Sequence, residues 1–430
     1  MARFARRWLR EELPRLEAEG IVASDQAQRI REYYAAAGDA EGRGRVVSVF
    51  AVLGVLLVGG GIILIIAHNW AELSRGLRVA LAIVPLLAVQ ALAFWVSRTR
   101  FHRPVWRESV GVAWVLSLGA ALALISQTYH TLTLGRFCFR WALLTLPVNY
   151  LWPSVFPLGI YPILVLGWAT DAPKDWELAF WPLLGLGWPQ VRRNARLGFR
   201  PGGAFVSLAY AAAVLIGGPT TLGVVAQPSP FSQLYYAAVL TTWFLGNEAN
   251  PSARSSSRNL VFYGLGLGGI GVMSLVLTYT ASWRLGESGG IELNSRAGVE
   301  VALIAAWVVT AGVWWARAWT SLGWRARIVG GWILALLLAE WLVRQWGRTA
   351  AVVVANVYVL VASACTIADG IRRQHLAFAN VGLLWFSAWV VLRFFDMEWG
   401  YLVRGTALVL VGMALLGLNV FLRRAWRPPT

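Results

Sequence analysis

Apolar runs of about one bilayer's length recur along the chain, separated by short loops marked by arginine. Fourteen such stretches can be read, at 46–67, 77–96, 109–127, 139–152, 154–169, 177–190, 203–226, 231–246, 259–281, 297–316, 326–343, 349–370, 375–392 and 402–422. A hydrocarbon layer of about 30 Å takes about 20 helical residues, and Val46 to Ala67 has that length with no charge inside it. The pattern predicts an all-α fold, a polytopic transmembrane helical bundle of about fourteen spans, or twelve if some of the shorter runs do not cross. The fourth to sixth runs are short and broken by Pro147, Pro153, Pro157, Pro162 and Pro182. Proline removes a backbone donor and disfavours helix for the residue before it, so these read as kinked, half-length or re-entrant helices. The chain divides into a hairpin at 1–45, a first transmembrane bundle at 46–169 and a second at 170–430.

The segment 1–45 is the one polar stretch of any length. Phe4, Trp8, Leu13 and Leu16 recur at near-helical spacing, Gly20 stops that helix, and Ser24-Asp25 caps a second, which carries Ile30, Tyr33, Tyr34 and Ala37 on one face. Its nine arginines face eight acids, so a nearly neutral helical hairpin fits better than a basic arm. The apolar run that follows is too long for a signal-peptide core and lies behind a polar tail, and no cleavage is expected.

Composition agrees with the pattern: 58% of residues are hydrophobic, 14% are charged, and the mean hydropathy is +0.58. Lipid must cover what a single core cannot. The net charge of +17 raises the question of nucleic acid, but the arginines are dispersed loop by loop beside the spans, as membrane topology requires, instead of forming one stripe. No nucleic-acid partner is expected; the partner is the lipid bilayer. Arginine clusters such as Arg98, Arg100, Arg103 and Arg107, or Arg192, Arg193 and Arg196, fall on the side of the N-terminus when the loops are alternated. Both termini are therefore predicted to be cytoplasmic, in a multi-pass protein of the inner (plasma) membrane.

Cys138 and Cys365 fall on opposite sides in this topology and should not pair. No Cys/His array suggests zinc, and nothing calls for a cofactor. The first span ends in Ala67-His68-Asn69-Trp70, and the third in Ile125-Ser126-Gln127-Thr128-Tyr129-His130. Together with the hairpin and the glycine-rich first span, these residues resemble a prokaryotic membrane-protein family, the one catalogued as domain of unknown function 2157. The likeness is most specific over residues 1–150, and Arg393-Phe394-Phe395-Asp396 resembles a recurring ending among such proteins. It implies a bacterial integral membrane protein and lends no activity, ligand or catalytic residue.

The polar groups at membrane depth must speak for themselves. His68, Asn69, Gln127, His130, Glu300, Glu340, Arg393 and Asp396 all fall near the outer ends of spans and form a candidate substrate-binding vestibule. The competing reading is interfacial anchoring by Trp70 and Tyr129, with an ion pair between Glu340 and Arg344 one helical turn apart. Asn356, Asn380 and Asn419 read as interhelical hydrogen bonds, and the Gly264-to-Gly268 spacing as a close helix contact. Most of the 25 tryptophans, Trp95, Trp152 and Trp346 among them, read as interfacial belts. The favoured function is transport of a small solute or lipid. The alternatives are a sensor or assembly partner acting through the hairpin, and an enzyme acting on a lipid-linked substrate at the outer face. No catalytic spacing is found, which leans against the enzyme.

Overall fold

The computed structural model describes residues 12–30, 72–129, 133–172, 174–196, 203–222, 230–249, 257–280, 282–283 and 295–396, and beyond these only 406, 409 and 413. The first and last predicted spans lie outside or almost outside the described residues. Two compact units divide the chain, Met1–Ala80 and Leu81–Thr430.

In the first unit, helix α1 (12–18) turns into helix α2 (24–30). Gly20 ends α1 as expected, in the left-handed region at φ +70°. The N–H of Ile21 donates to Leu16 O (3.0 Å) and that of Gly20 to Glu17 O (3.2 Å), the paired bonds of a Schellman turn, which satisfy carbonyls the helix leaves open. A side chain at position 20 would be strained in that conformation. Ser24 is the first residue of α2 and not the residue before it, because Ala27 N–H already donates to Ala23 O at 2.9 Å.

The second unit is helical throughout its described residues. Its helices are α3 (Arg75–Thr99, which begins in the first unit), α4 (Pro104–Tyr129), α5 (Leu134–Leu151), α6 (Val155–Ala169), α7 (Phe180–Arg196), α8 (Gly203–Ala212), α9 (Gly218–Thr221), α10 (Pro230–Glu248), α11 (Ser257–Val276), α12 (Ser295–Ser321), α13 (Trp324–Gly330), α14 (Trp332–Trp346), α15 (Arg348–Arg372) and α16 (Leu376–Asp396). Each predicted stretch from the second to the thirteenth thus coincides with a helix.

Seven helices among the described residues are long and apolar enough to cross a membrane, which marks a multi-pass membrane protein. They are Arg75–Thr99, Val105–Tyr129, Gly203–Thr221, Gly298–Ser321, Trp324–Trp346, Arg348–Arg372 and Leu376–Arg393. Fourteen spans are not confirmed, and two of the predicted stretches among the described residues show why. Helix α6 has 15 residues, about 22 Å at 1.5 Å per residue, and is largely buried among α4, α5, α7 and α8. Helix α10 is enclosed by α11, α12, α13 and α14, so Gln233, Thr241 and Thr242 can sit on it without facing lipid. Enclosure relaxes the apolar demand that lipid would impose.

Proline shapes the bundle without breaking it at Pro147 or Pro162, which lie inside continuous helices. A stronger effect falls at Pro219. Between α8 and α9 the chain makes a π-turn, Ala213–Gly217, so that the three segments run on as one helix. Pro219 has no N–H to give Leu215 O, its normal partner four residues back. The Tyr236 hydroxyl of α10 donates there instead, at 3.2 Å, and Tyr235 donates to Val214 O at 2.7 Å. Two tyrosines thus complete the widened turn.

At the base of α4, Glu108 accepts from Ser154 Oγ and Val155 N–H, both at 2.8 Å, and so caps α6 from another helix. Trp152 Nε1 donates to Arg107 O at 2.8 Å and is only 3% exposed. Trp152 is therefore a packing residue and not the interfacial anchor expected, whereas Trp95, Trp176, Trp319 and Trp346 are exposed as belt residues would be.

Candidate functional site

Helices α10 and α11 cross where α11 carries glycine. A Cβ on Gly266 would stand 2.6 Å from Phe244 N, and one on Gly269 would stand 2.5 Å from a Leu240 methyl. Only glycine allows this approach. Gly264 and Gly268 face open space, so the contact is made by a different pair of glycines from the one the spacing suggested.

Past Gly269 the two helices part and leave a groove of about 600 Å³, within the range of small-molecule sites. Leu240, Val272, Met273, Val276 and Leu277 form its apolar walls, and Ser232, Gln233, Tyr236 and Ser282 its polar end. Val272 and Val276 are 64% and 51% exposed, so the groove opens sideways onto the apolar surface of α11. Its lining residues on α10 run from Ser232 to Leu240, about 12 Å of helix, close to half the depth of a hydrocarbon layer. Among the described residues no charged side chain lines it.

Hydrogen bonding at the polar end is lopsided. Gln233 Nε2 donates to Ser282 O (3.3 Å), Ser282 Oγ to Val276 O (2.8 Å) and Tyr236 to Leu215 O. A carboxamide nitrogen only donates, so its bond to Ser282 O fixes which way the amide lies. Gln233, itself 9% exposed, is left with a buried Oε1 that has no hydrogen-bond partner among the described residues.

Of the predicted vestibule residues whose side chains are described, Arg393 reaches an element of this groove. Its Nη2 donates to Thr278 O (3.0 Å) and Thr278 Oγ1 (2.8 Å), and the guanidinium lies over the Tyr279 ring at 4.6 Å, next to the lining residue Leu277. Tyr279 in turn donates to Leu392 O at 3.1 Å, which clamps α16 to the end of α11. Gln127 is exposed near the end of α4, Glu300 is half-buried on α12 and Glu340 is half-buried on α14. Arg344, one turn beyond Glu340, is exposed, and no ion pair joins the two among the described contacts. His68, Asn69, His130 and the side chain of Asp396 lie outside the described residues.

A second polar site, at the other end of α11, was not foreseen. Arg325, at the start of α13 and fully buried, donates from Nη2 to Glu248 Oε1 (2.8 Å), from Nε to Asp369 Oδ2 (3.0 Å) and from Nη1 to the Tyr263 oxygen (3.3 Å). Arg373 Nε donates to the remaining Asp369 oxygen at 2.8 Å. The guanidinium of Arg325 lies over the Phe378 ring at 4.1 Å. Two cations face two anions, and five helices meet there: α10, α11, α13, α15 and α16. Asp369 pairs with Arg373 at the end of its own helix, but it is 1% exposed and its second oxygen serves Arg325. The sequence signal was an acid and an arginine at the ends of apolar runs, with nothing to say which met which.

Interhelical amide bonding is present as expected at Asn356, whose Oδ1 accepts from Trp389 Nε1 at 2.8 Å. Both cysteines are free. No curated protein and no solved structure matches the chain. Residues 14–156 match the family model described as Predicted membrane protein (DUF2157), the same family that the hairpin and the ends of the first and third spans resemble.

Proposed function

We propose that this multi-pass membrane protein transports a lipid or a small lipid-like solute, which enters from the bilayer through the groove between α10 and α11. The observation that carries this reading is the shape of the groove: apolar walls, a polar end near the helix termini, and a side opening onto the apolar surface. A water-borne polar solute would need polar walls and an aqueous mouth; an amphiphile needs what is here. The polar end lies at the start of α10 and just past α11, and the walls extend toward the middle of the helices, as a headgroup and tail within one leaflet would require. Arg393 positions that end through Thr278 and Tyr279. On the arginine distribution we place both termini in the cytoplasm, which puts the groove's polar end at the outer surface of the inner membrane.

The test is transbilayer movement of a short-chain fluorescent diacylglycerol in proteoliposomes. The native protein should speed the movement over protein-free vesicles, and Val272→Trp, which fills the mouth of the groove, should remove the gain. Equal rates for native protein, variant and empty vesicles would overturn the reading.

A further inference from the structure

The groove carries more information than its shape. Every donor whose partner is known at its polar end is already committed: Gln233 Nε2 to Ser282 O, Ser282 Oγ to Val276 O and the Tyr236 hydroxyl to Leu215 O. Ser232 is partnered as well. What is left is an acceptor, Gln233 Oε1, buried and without a hydrogen-bond partner among the described residues. A buried carbonyl in that state is costly, and a ligand that donates to it removes the cost.

Charge narrows the class further. Among the described residues no lysine, arginine, aspartate or glutamate lines the groove, so a phosphate or carboxylate headgroup would lose its hydration with no counter-charge from them. Arg393, which meets the chain beside the lining residue Leu277, is turned onto Thr278 and Tyr279. An ester or ether could offer only acceptors, which would face another acceptor.

We propose that the groove selects an uncharged, long-chain alcohol, the hydroxyl end of a neutral lipid, whose O–H donates to Gln233 Oε1 while its chain lies along Leu240, Val272 and Met273. This selectivity rests on the groove being the lipid site proposed above, and the two can fail separately.

The probes are hexadecanol, its methyl ether and hexadecanoate, and the readout is binding to purified full-length protein in detergent micelles, followed by thermal stabilisation. Hexadecanol should bind roughly three- to tenfold more tightly than the ether, the worth of about one hydrogen bond, and hexadecanoate should bind most weakly. Gln233→Leu should bring the alcohol and the ether to equal affinity. Gln233→Asn, which keeps the amide but withdraws it by one methylene, should narrow the gap; it decides the matter if the leucine variant does not fold. Equal binding of alcohol and ether by the native protein, or tightest binding of hexadecanoate, overturns the headgroup assignment. If Val272→Trp abolishes binding of all three in that case, the groove stands as a lipid site of other selectivity. If Val272→Trp changes nothing, or if Val276→Cys in a background lacking Cys138 and Cys365 forms a disulfide with a second copy while no probe binds, both proposals fall.

Discussion

Arg325 and Asp369, 44 residues apart in the chain, are joined by a 3.0 Å hydrogen bond with neither side chain more than 1% exposed. Glu248 binds the same guanidinium from 77 residues before it. The buried charges balance only as a set, so removal of one member strands the others. Arg325→Met should destabilise the protein by about 3–5 kcal/mol, and Asp369→Asn by a similar amount. Arg373→Ala should cost far less, because that side chain is 46% exposed and its pairing is screened. Replacement of Arg325, Glu248 and Asp369 together by apolar residues of similar volume should recover much of the loss. Unfolding in mixed micelles measures all four, and an Arg325→Met variant as stable as the parent would show that the cluster is not a structural lock.

The glycines of α11 make a second test. Gly266→Ala should destabilise by about 1–3 kcal/mol, since its new methyl meets backbone that cannot move aside, while Gly264→Ala should change stability by less than about 0.5 kcal/mol or raise it through better helix propensity. The two substitutions share chemistry and helix, so a reversal of their order by thermal unfolding would refute the observed contact.

A third prediction concerns Pro219 and Tyr236. Tyr236→Phe should cost about 1 kcal/mol by leaving Leu215 O without its donor. In a Pro219→Ala background the new N–H can serve that carbonyl, and the cost should fall toward zero. The double-mutant cycle reads the coupling directly; additive effects would mean that the tyrosine does not compensate for the proline.

Orientation can be tested on two exposed residues at opposite ends of one span. Ser321→Cys lies beside Arg317 and Arg325, and Gln345→Cys at the far end of α14. In intact cells, with Cys138 and Cys365 removed, an impermeant thiol reagent should label position 345 and spare 321. The opposite result would invert the topology.

How much of this was legible in the sequence depends on how far each property reaches along the chain. The extents of α3, α12 and α15 follow the apolar runs closely, because contact with lipid is decided residue by residue. Helix α10 was found by the same rule, yet its polar residues concealed that it is the enclosed member of the second half. Gly264 and Gly268 have the spacing of a helix contact, but spacing does not say which face meets a neighbour, and Gly266 and Gly269 do. The groove and the Arg325 cluster were illegible for a common reason: each is assembled from helices far apart in sequence, and a single chain carries no record of which ends converge. Arg393 was singled out for its charge at membrane depth, and its partner, Thr278, carries no charge at all, so charge alone could not identify what it meets.

The buried guanidinium also bears on the order in which the protein is made. When Arg325 leaves the ribosome, Glu248 has already been synthesised but Asp369 and Phe378 have not. Arg325 lies at the end of its span, where an unpaired arginine costs less than the roughly 2.5–3.5 kcal/mol of a helix centre, and half of its counter-charge is still to be translated. Helix α13 has only seven residues, too few to hold itself in hydrocarbon, and its neighbour α14 must carry it. The segment from α10 to α13 therefore waits in an unfinished state, with Arg325 paired to Glu248 alone, until α15 brings Asp369. The C-terminal third of the chain is thus the part that completes the fold of what precedes it.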